Sequence, residues 1–90
     1  MKIRLSTDLV KLLRKIKNKD KILTNQISNK LKLFQVNAQH PSLRTHKLSG
    51  KMSNCWSISI NKSLRIIYII LKSDEAYFIA LGTHDEVYRR

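Results

Sequence analysis

Three residues that are far apart in the sequence, His46, Arg65 and His84, have side chains that could act together on a phosphate ester. A histidine can move a proton near neutral pH, and an arginine guanidinium matches the geometry of a phosphate. Cleavage of RNA needs a base for the 2′-hydroxyl proton, a cation for the charge on phosphorus, and an acid for the leaving 5′-oxygen. Two histidines and an arginine meet these needs, and RNA cleavage is therefore the leading chemical hypothesis.

The segment 82–90 adds further groups suited to RNA. It follows a strongly apolar stretch and holds His84, Tyr88, Arg89 and Arg90 within its last seven residues. A tyrosine can stack on a base or donate a hydrogen bond. We therefore include Tyr88 with His46, Arg65 and His84 as the candidate catalytic residues.

Structural explanations exist for the same residues. A lone surface histidine in a basic protein is often simply solvated, and Tyr88, like Trp56, could serve in packing. An arginine inside an apolar strand often pairs with a carboxylate, and Asp85 or Glu86 could provide one. Arg65 therefore has two open interpretations, a phosphate ligand or half of an ion pair.

The charge of the chain indicates a polyanionic partner. The 90 residues include 18 Lys and Arg against 6 Asp and Glu, a formal charge of +12, and most of the excess lies in residues 1–51. The lysines could instead belong to ordinary solvated helix surfaces. The candidate RNA-binding or ribosome-binding residues are Lys11, Arg14, Lys15, Lys17, Lys19, Arg44, Lys47, Lys51, Arg89 and Arg90.

Other classes of site and location are disfavoured by composition and spacing. The three histidines and the single cysteine, Cys55, match no compact zinc pattern, and Cys55 opens an apolar strand where burial is expected. There is no Gly-rich phosphate loop. We expect no metal and no cofactor. The lone cysteine, the absence of a signal-like apolar core near residue 1 and the short hydrophobic runs predict a cytoplasmic protein that does not cross a membrane.

The periodicity predicts one α+β domain over residues 1–90, in the order β-α-α-β-β-β. Residues 1–5 form a strand, and Ser6 can cap a first helix that carries Leu9, Leu12, Leu13 and Ile16. Residues 18–20 interrupt the pattern, and a second helix follows to about Val36. The two helices should form a hairpin on one face of a mainly antiparallel sheet.

The second half of the chain predicts an irregular connection and three strands. Residues 37–54 hold the only proline and are predicted to form a loop, with an extended piece around 44–48. Strands are expected at 55–60, 64–71 and 76–81, and their short connections make them antiparallel. The first alternates Trp56, Ile58 and Ile60 with small residues, so the helices should cover that apolar side. Ser57 and Ser59 would then form the surface of an open sheet face, and Arg65 and His84 could come together over it.

Three motifs in this order resemble the RelE/ParE toxin superfamily of bacterial type II toxin–antitoxin systems, especially its YafQ-like messenger-RNA interferases. The motifs are residues 46–50 (HKLSG), 64–68 (LRIIY) and 82–88 (GTHDEVY). The resemblance covers nearly the whole chain and implies a RelE-like fold. It further implies a ribosome-dependent endoribonuclease that leaves a 2′,3′-cyclic or 3′-phosphate on messenger RNA, and a cognate antitoxin that covers the basic surface.

The resemblance also implies roles for individual residues. His46 matches the histidine before the Leu-x-Gly turn, His84 that of the Gly-Thr-His motif, and Tyr88 the aromatic position after it. Arg65 matches the strand arginine of RelE-like members. YafQ-type members have a further histidine and aspartate where this chain has Ser59 and Ser63, so the resemblance implies Arg65 as the stabiliser of the transition state.

Two alternatives to a nuclease remain open. ParE-like relatives bind DNA gyrase and lack a nuclease site, although His46 and His84 would have no evident use in such an inhibitor. A non-catalytic RNA-binding module is also compatible with the charge, but the chain has few aromatic residues to stack on bases.

Overall fold

The computed structural model of the chain describes residues 1–49, 54–83 and 85–86. The elements are β1 (Lys2–Leu5), α1 (Thr7–Lys19), α2 (Lys21–Val36), a 3-10 helix (Pro41–Leu43), β2 (His46–Lys47), β3 (Cys55–Ser59), β4 (Leu64–Lys72) and β5 (Glu75–Thr83). The predicted α+β order is confirmed, with one short strand, β2, added to it.

The helical hairpin is set by two capping side chains. Ser6 Oγ accepts a hydrogen bond from the Leu9 N–H at 3.1 Å, which begins α1. Asp20 ends α1 by donating its N–H to the Ile16 carbonyl at 2.7 Å, and it begins α2 by accepting from the Leu23 N–H at 3.0 Å. A single residue therefore separates the two helices.

The sheet has the strand order β1-β5-β4-β3-β2, and β4, apolar in sequence, lies at its centre as expected. Strands β2 to β5 pair antiparallel, whereas β1 pairs parallel to β5, with Ile3 opposite Ala76. A parallel pair cannot be joined by a tight turn, so the chain has to cross over between these strands. The helical hairpin begins this crossover and lies on one face of the sheet.

Most strand boundaries differ from the prediction by at most a single residue, and two larger differences bear on the site. β5 extends past residue 81 to Thr83, because Gly82 and Thr83 continue the ladder opposite Arg65 and Leu64. In the predicted extended piece 44–48, the strand comprises only His46 and Lys47, since Arg44 adopts a left-handed conformation (φ 47°, ψ 50°). Both differences lie at the same end of the sheet.

The main core lies between the helices and one face of the sheet, which we call the helix face. Ile58, Ile66 and Phe78 are fully buried there, against helix residues that include Leu9 and Phe34. The rings of Phe34, Tyr68 and Phe78 contact each other with centroids 5.0–5.2 Å apart, and such aromatic pairs contribute about 0.5–1.5 kcal/mol each beyond area burial. The predicted burial of the Ile58 side of β3 is confirmed.

Within the residues that the structure describes, no helix combines the length and the apolar character needed to cross a membrane.

Candidate functional site

The face of the sheet opposite the helices carries the polar candidates, and we call it the site face. Side chains alternate along β3, so Ser57 and Ser59 lie on the side away from Ile58. Ser59 is opposite Arg65 in the β3–β4 register, which puts Arg65 on the same face. At the other end of this face, Leu48, Cys55 and Ile67 form a small buried apolar cluster. The site face is therefore apolar at one end and polar at the other.

The expectation of an open serine floor is wrong for Ser57. This residue is fully buried, while Ser59 is partly buried. The Arg65 Nε–H donates to Ser57 Oγ at 2.8 Å, so the long arginine side chain lies over the serine. At the polar end of the site face, the hydrogen-bonded side chain of Arg65 therefore covers Ser57.

Arg65 is held by neutral oxygen atoms as well as by packing. Only 8% of its surface is exposed. Its Nη2 donates to the Arg44 carbonyl at 2.6 Å and to the Ser57 carbonyl at 3.4 Å, in addition to the Nε bond with Ser57. Bonds from Nε and Nη2 of the planar guanidinium to oxygen atoms of two residues fix its orientation. The cation is therefore preorganised, as stabilisation of a transition state requires.

Glu86, one of the two carboxylates considered as a partner for Arg65, has a local structural role. Its carboxylate accepts from the Thr83 N–H at 2.9 Å, and its own N–H donates to Thr83 Oγ1 at 3.2 Å. This reciprocal pair is a capping box, and residues 85 and 86 are helical. The sequence Thr-x-x-Glu at 83–86 carries that signal.

Arg44 supports Arg65 through its backbone. Its positive φ costs on the order of 1 kcal/mol for a residue with a Cβ. The turn that results brings its carbonyl to Arg65 and leads into β2. Arg44 was predicted to bind RNA through its side chain, which is exposed; the contact of its carbonyl with Arg65 was not foreseen.

His46 lies on the site face beside these groups. It is opposite Ser57 in the β2–β3 register, and directly opposed residues project to the same face with Cβ atoms about 5 Å apart. The histidine is exposed, whereas Ser57 and Arg65 are buried. The structure thus brings together two of the four predicted catalytic residues, His46 and Arg65, around Ser57.

The other two catalytic candidates, His84 and Tyr88, lie outside the described residues, as do Lys51, Arg89 and Arg90. Gly82 is opposite Arg65 on the neighbouring strand, and β5 ends one residue later. Thr83, the last residue of β5, therefore lies at the end of the sheet where Arg65 lies.

The other basic candidates are divided between surfaces. Lys11, Arg14, Lys15, Lys17 and Lys19 are all exposed on α1, which packs against the helix face, so they lie on the other side of the sheet from Arg65. Lys47 neighbours His46 but projects to the opposite face, where its Nζ lies 5.8 Å from the centroid of the Trp56 ring. These six cations therefore lie on the other side of the sheet from Arg65 and are not part of its site.

Two cations that are not among the predicted binding residues lie near Arg65. Lys30 of α2 and Lys62 of the β3–β4 turn line a cleft of about 610 Å³ together with Arg44 and Arg65. Nothing in the spacing of the sequence indicates this convergence, because it depends on how α2 packs beside the edge of β3.

The residues considered as metal ligands have other surroundings. Cys55 is buried, as predicted, and burial raises the pKa of its thiol, so it stays protonated at neutral pH. His40 Nδ1 accepts from the Ser42 N–H at 3.1 Å and caps the 3-10 helix. Across residues 1–49, 54–83 and 85–86, no group of three or more His, Cys, Asp or Glu side chains is arranged to hold a metal ion.

Neither a protein-family model nor a curated protein sequence matches the chain, but solved structures share its architecture. The YoeB/ParE toxin from Agrobacterium tumefaciens has a TM-score of 0.78 at 18% identity, covering 93% of this chain and 99% of that one. The heterotetrameric YoeB–YefM toxin–antitoxin complex from Staphylococcus aureus gives 0.75 at 20% identity, covering 93% and 97%. The E. coli DinJ–YafQ complex gives 0.73 at 17% identity, covering 96% of each chain.

These likenesses establish the fold. The chain has the RelE-like α+β architecture of the YoeB and YafQ toxins, with two helices on a mixed five-stranded sheet. The resemblance that the three sequence motifs carried is therefore confirmed at the level of the architecture.

Proposed function

We propose that the chain is the toxin of a type II toxin–antitoxin system and acts as an endoribonuclease on ribosome-bound messenger RNA. The observation that carries the proposal is the preorganised guanidinium of Arg65, which Ser57 and the Arg44 carbonyl hold on the same sheet face as His46. The shared fold with YoeB and YafQ toxins supports the same class of protein.

The proposed reaction is a transesterification within the RNA strand. One histidine of the pair His46 and His84 removes the proton from a 2′-hydroxyl, whose oxygen attacks the adjacent phosphorus. The other protonates the 5′-oxygen as its bond to phosphorus breaks, which leaves a 2′,3′-cyclic phosphate. Arg65 stabilises the negative charge of the phosphorane, and Tyr88 stacks on or hydrogen-bonds the substrate. These side chains supply each proton transfer and the charge stabilisation themselves.

The ribosome and the antitoxin would use overlapping surfaces around α1. The exposed basic residues of α1 suit ribosomal RNA, because each contact with a phosphate releases counterions. A groove of about 400 Å³ between α1 and α2 has an apolar floor that includes Leu13 and Ile27, with Arg14 and Lys17 also lining it. An acidic amphipathic antitoxin segment complements such a groove. A ribosomal target places the protein in the cytoplasm.

The direct test is a purified cell-free translation reaction in which the 5′ ends of the message and the chemistry of its 3′ ends are mapped. The wild-type protein should cut translated messages and leave a 2′,3′-cyclic phosphate. His84→Ala should lower the cleavage rate by roughly 10²- to 10⁴-fold, the contribution of a positioned proton-transfer group. His40→Ala is the matched control, since His40 caps the 3-10 helix and is not a candidate for catalysis.

Two results would contradict the proposal. Intact messages together with inhibited DNA supercoiling by gyrase would indicate the ParE-like alternative. Wild-type cleavage by His84→Ala would remove that histidine from the mechanism.

A further inference from the structure

A concave basic cleft adjoins Arg65 at the outer edge of β3. Of the eight residues lining its volume of about 610 Å³, four are cationic (Lys30, Arg44, Lys62 and Arg65), and none of those eight is acidic. Cations that line one concavity focus a positive potential inside it and attract anions. The lysines come from α2 and from the β3–β4 turn, so the cleft is distinct from the basic surface of α1.

The cleft exists because β2 is too short to cover the edge of β3. β2 comprises only His46 and Lys47, paired with Ser57 and Trp56, and the left-handed turn at Arg44 takes the preceding chain away from the strand. The edge next to Ser59 is left unpaired by β2. The Ile60 N–H points toward β4, where it donates to the Leu64 carbonyl. Because successive N–H groups along a strand point in opposite directions, the Ser59 N–H points away from β4, toward the edge where the cleft lies.

The walls of the cleft are braced by hydrogen bonds. Lys30 Nζ donates to the Ser42 carbonyl at 3.2 Å, which uses one of its three protons and joins α2 to the 3-10 helix. The Asn61 side chain donates to Gln26 Oε1 of α2 at 3.0 Å and accepts from the Leu64 N–H at 2.9 Å. The turn that carries Lys62 is thus fixed against α2, which lowers the entropic cost of binding an anion.

We infer that this cleft binds a backbone phosphate of single-stranded RNA, next to the phosphate that Arg65 contacts. Lys30 and Lys62 act as point charges for that phosphate, and the Ser59 N–H is a further donor. Arg65 lines the cleft and also lies on the site face beside Ser57, so one strand can span both places. The inference rests on the proposed function only for the role of Arg65 in cleavage.

The test measures binding without cleavage. The probe is a single-stranded oligoribonucleotide with 2′-O-methyl groups, which removes the attacking hydroxyl, and binding is followed by fluorescence anisotropy at several salt concentrations. The double variant Lys30→Met/Lys62→Met should bind about tenfold more weakly at low salt. Its log–log salt dependence should be shallower by about 0.7, because the cleft holds one phosphate and each single-strand phosphate contact contributes about 0.7.

The control Lys2→Met/Lys72→Met removes the same charge from exposed positions away from the cleft. Lys2 is on β1 at the opposite edge of the sheet, and Lys72 is at the end of β4 remote from Arg65. The control should keep the wild-type slope. Lys62→Met alone, in an exposed turn, provides a folded variant if the double variant is unstable, and its slope should change in the same direction but by less than about 0.7.

The cleft inference is overturned if the wild-type protein does not bind the probe, or if the cleft and control variants lose the same affinity. Its failure is distinguishable from failure of the proposed function. Binding that depends on Lys30 and Lys62 without any cleavage of translated messages supports the cleft and contradicts the nuclease. Cleavage with no dependence of binding on these lysines contradicts the cleft alone.

Discussion

The helix face of the sheet is closed by large apolar and aromatic side chains, whereas the site face carries a buried arginine, a buried serine and an exposed histidine at one end. Both faces are built from the same strands. In β3, Ile58 packs on the helix face and its neighbour Ser57 receives a hydrogen bond from Arg65 on the other. The alternation of a strand therefore allows stability and chemistry to be changed separately, and substitutions on the two faces should have different consequences.

The largest effect is expected in the aromatic cluster of the helix face. Phe78→Ala removes a fully buried ring that contacts both Phe34 and Tyr68, and should lower the free energy of unfolding by about 3–5 kcal/mol. Urea unfolding followed by circular dichroism measures this loss. Phe78→Leu, which retains apolar volume, should lose clearly less. Equal and small losses in both variants would show that the helix face does not provide the main core.

Substitution of His46, on the site face, is compared with substitution of His40, which caps the 3-10 helix. His46→Ala should lower ribosome-dependent cleavage by about 10²-fold, the low end for proton-transfer groups, because a two-residue strand holds the side chain less firmly than a long one. His40→Ala should leave the cleavage rate of the folded protein near wild type while lowering the melting temperature, since His40 Nδ1 caps the 3-10 helix. Both quantities are measured on one preparation of each variant. Equal cleavage by His46→Ala and wild type would remove His46 from the mechanism.

The smallest effect concerns the exposed cations of α1. If they contact ribosomal RNA, ribosome binding should weaken steeply with salt, and replacing Lys11, Lys15 and Lys19 with glutamine should flatten that dependence. Co-sedimentation with ribosomes at several salt concentrations provides the measurement, and antitoxin binding is followed in parallel. Ribosome binding that is unchanged at every salt concentration, with weaker antitoxin binding, would assign this surface to the antitoxin.

Much of the architecture follows from local sequence signals. The helical spacing of Leu9 and Ile16, the cap at Ser6 and the alternation in β3 each predict an element that the structure contains. The pairing of β1 with β5 was not specified, because parallel partners depend on the crossover rather than on a turn.

The site is less evident in the sequence than the fold. His46 and Arg65 were selected from their chemistry and from the motifs around them. The left-handed turn at Arg44 gave no signal, since arginine seldom adopts it, and its carbonyl bond to Arg65 depends on that turn. The convergence of Lys30 and Lys62 likewise arises only when α2 packs beside the edge of β3.

The most direct test of the account is to measure the cleavage rate and the free energy of unfolding of Arg65→Lys on one preparation. Lysine keeps the charge but cannot reproduce the bonds to Ser57 and the Arg44 carbonyl while also contacting a phosphate. Arg4→Lys, at an arginine whose side chain is 64% exposed, is the control and should change neither quantity appreciably. The account predicts a rate lower by about 10²- to 10³-fold, with only about 1–2 kcal/mol lost from stability. A lower melting temperature with full activity per folded molecule, or full activity in a stable variant, would contradict it.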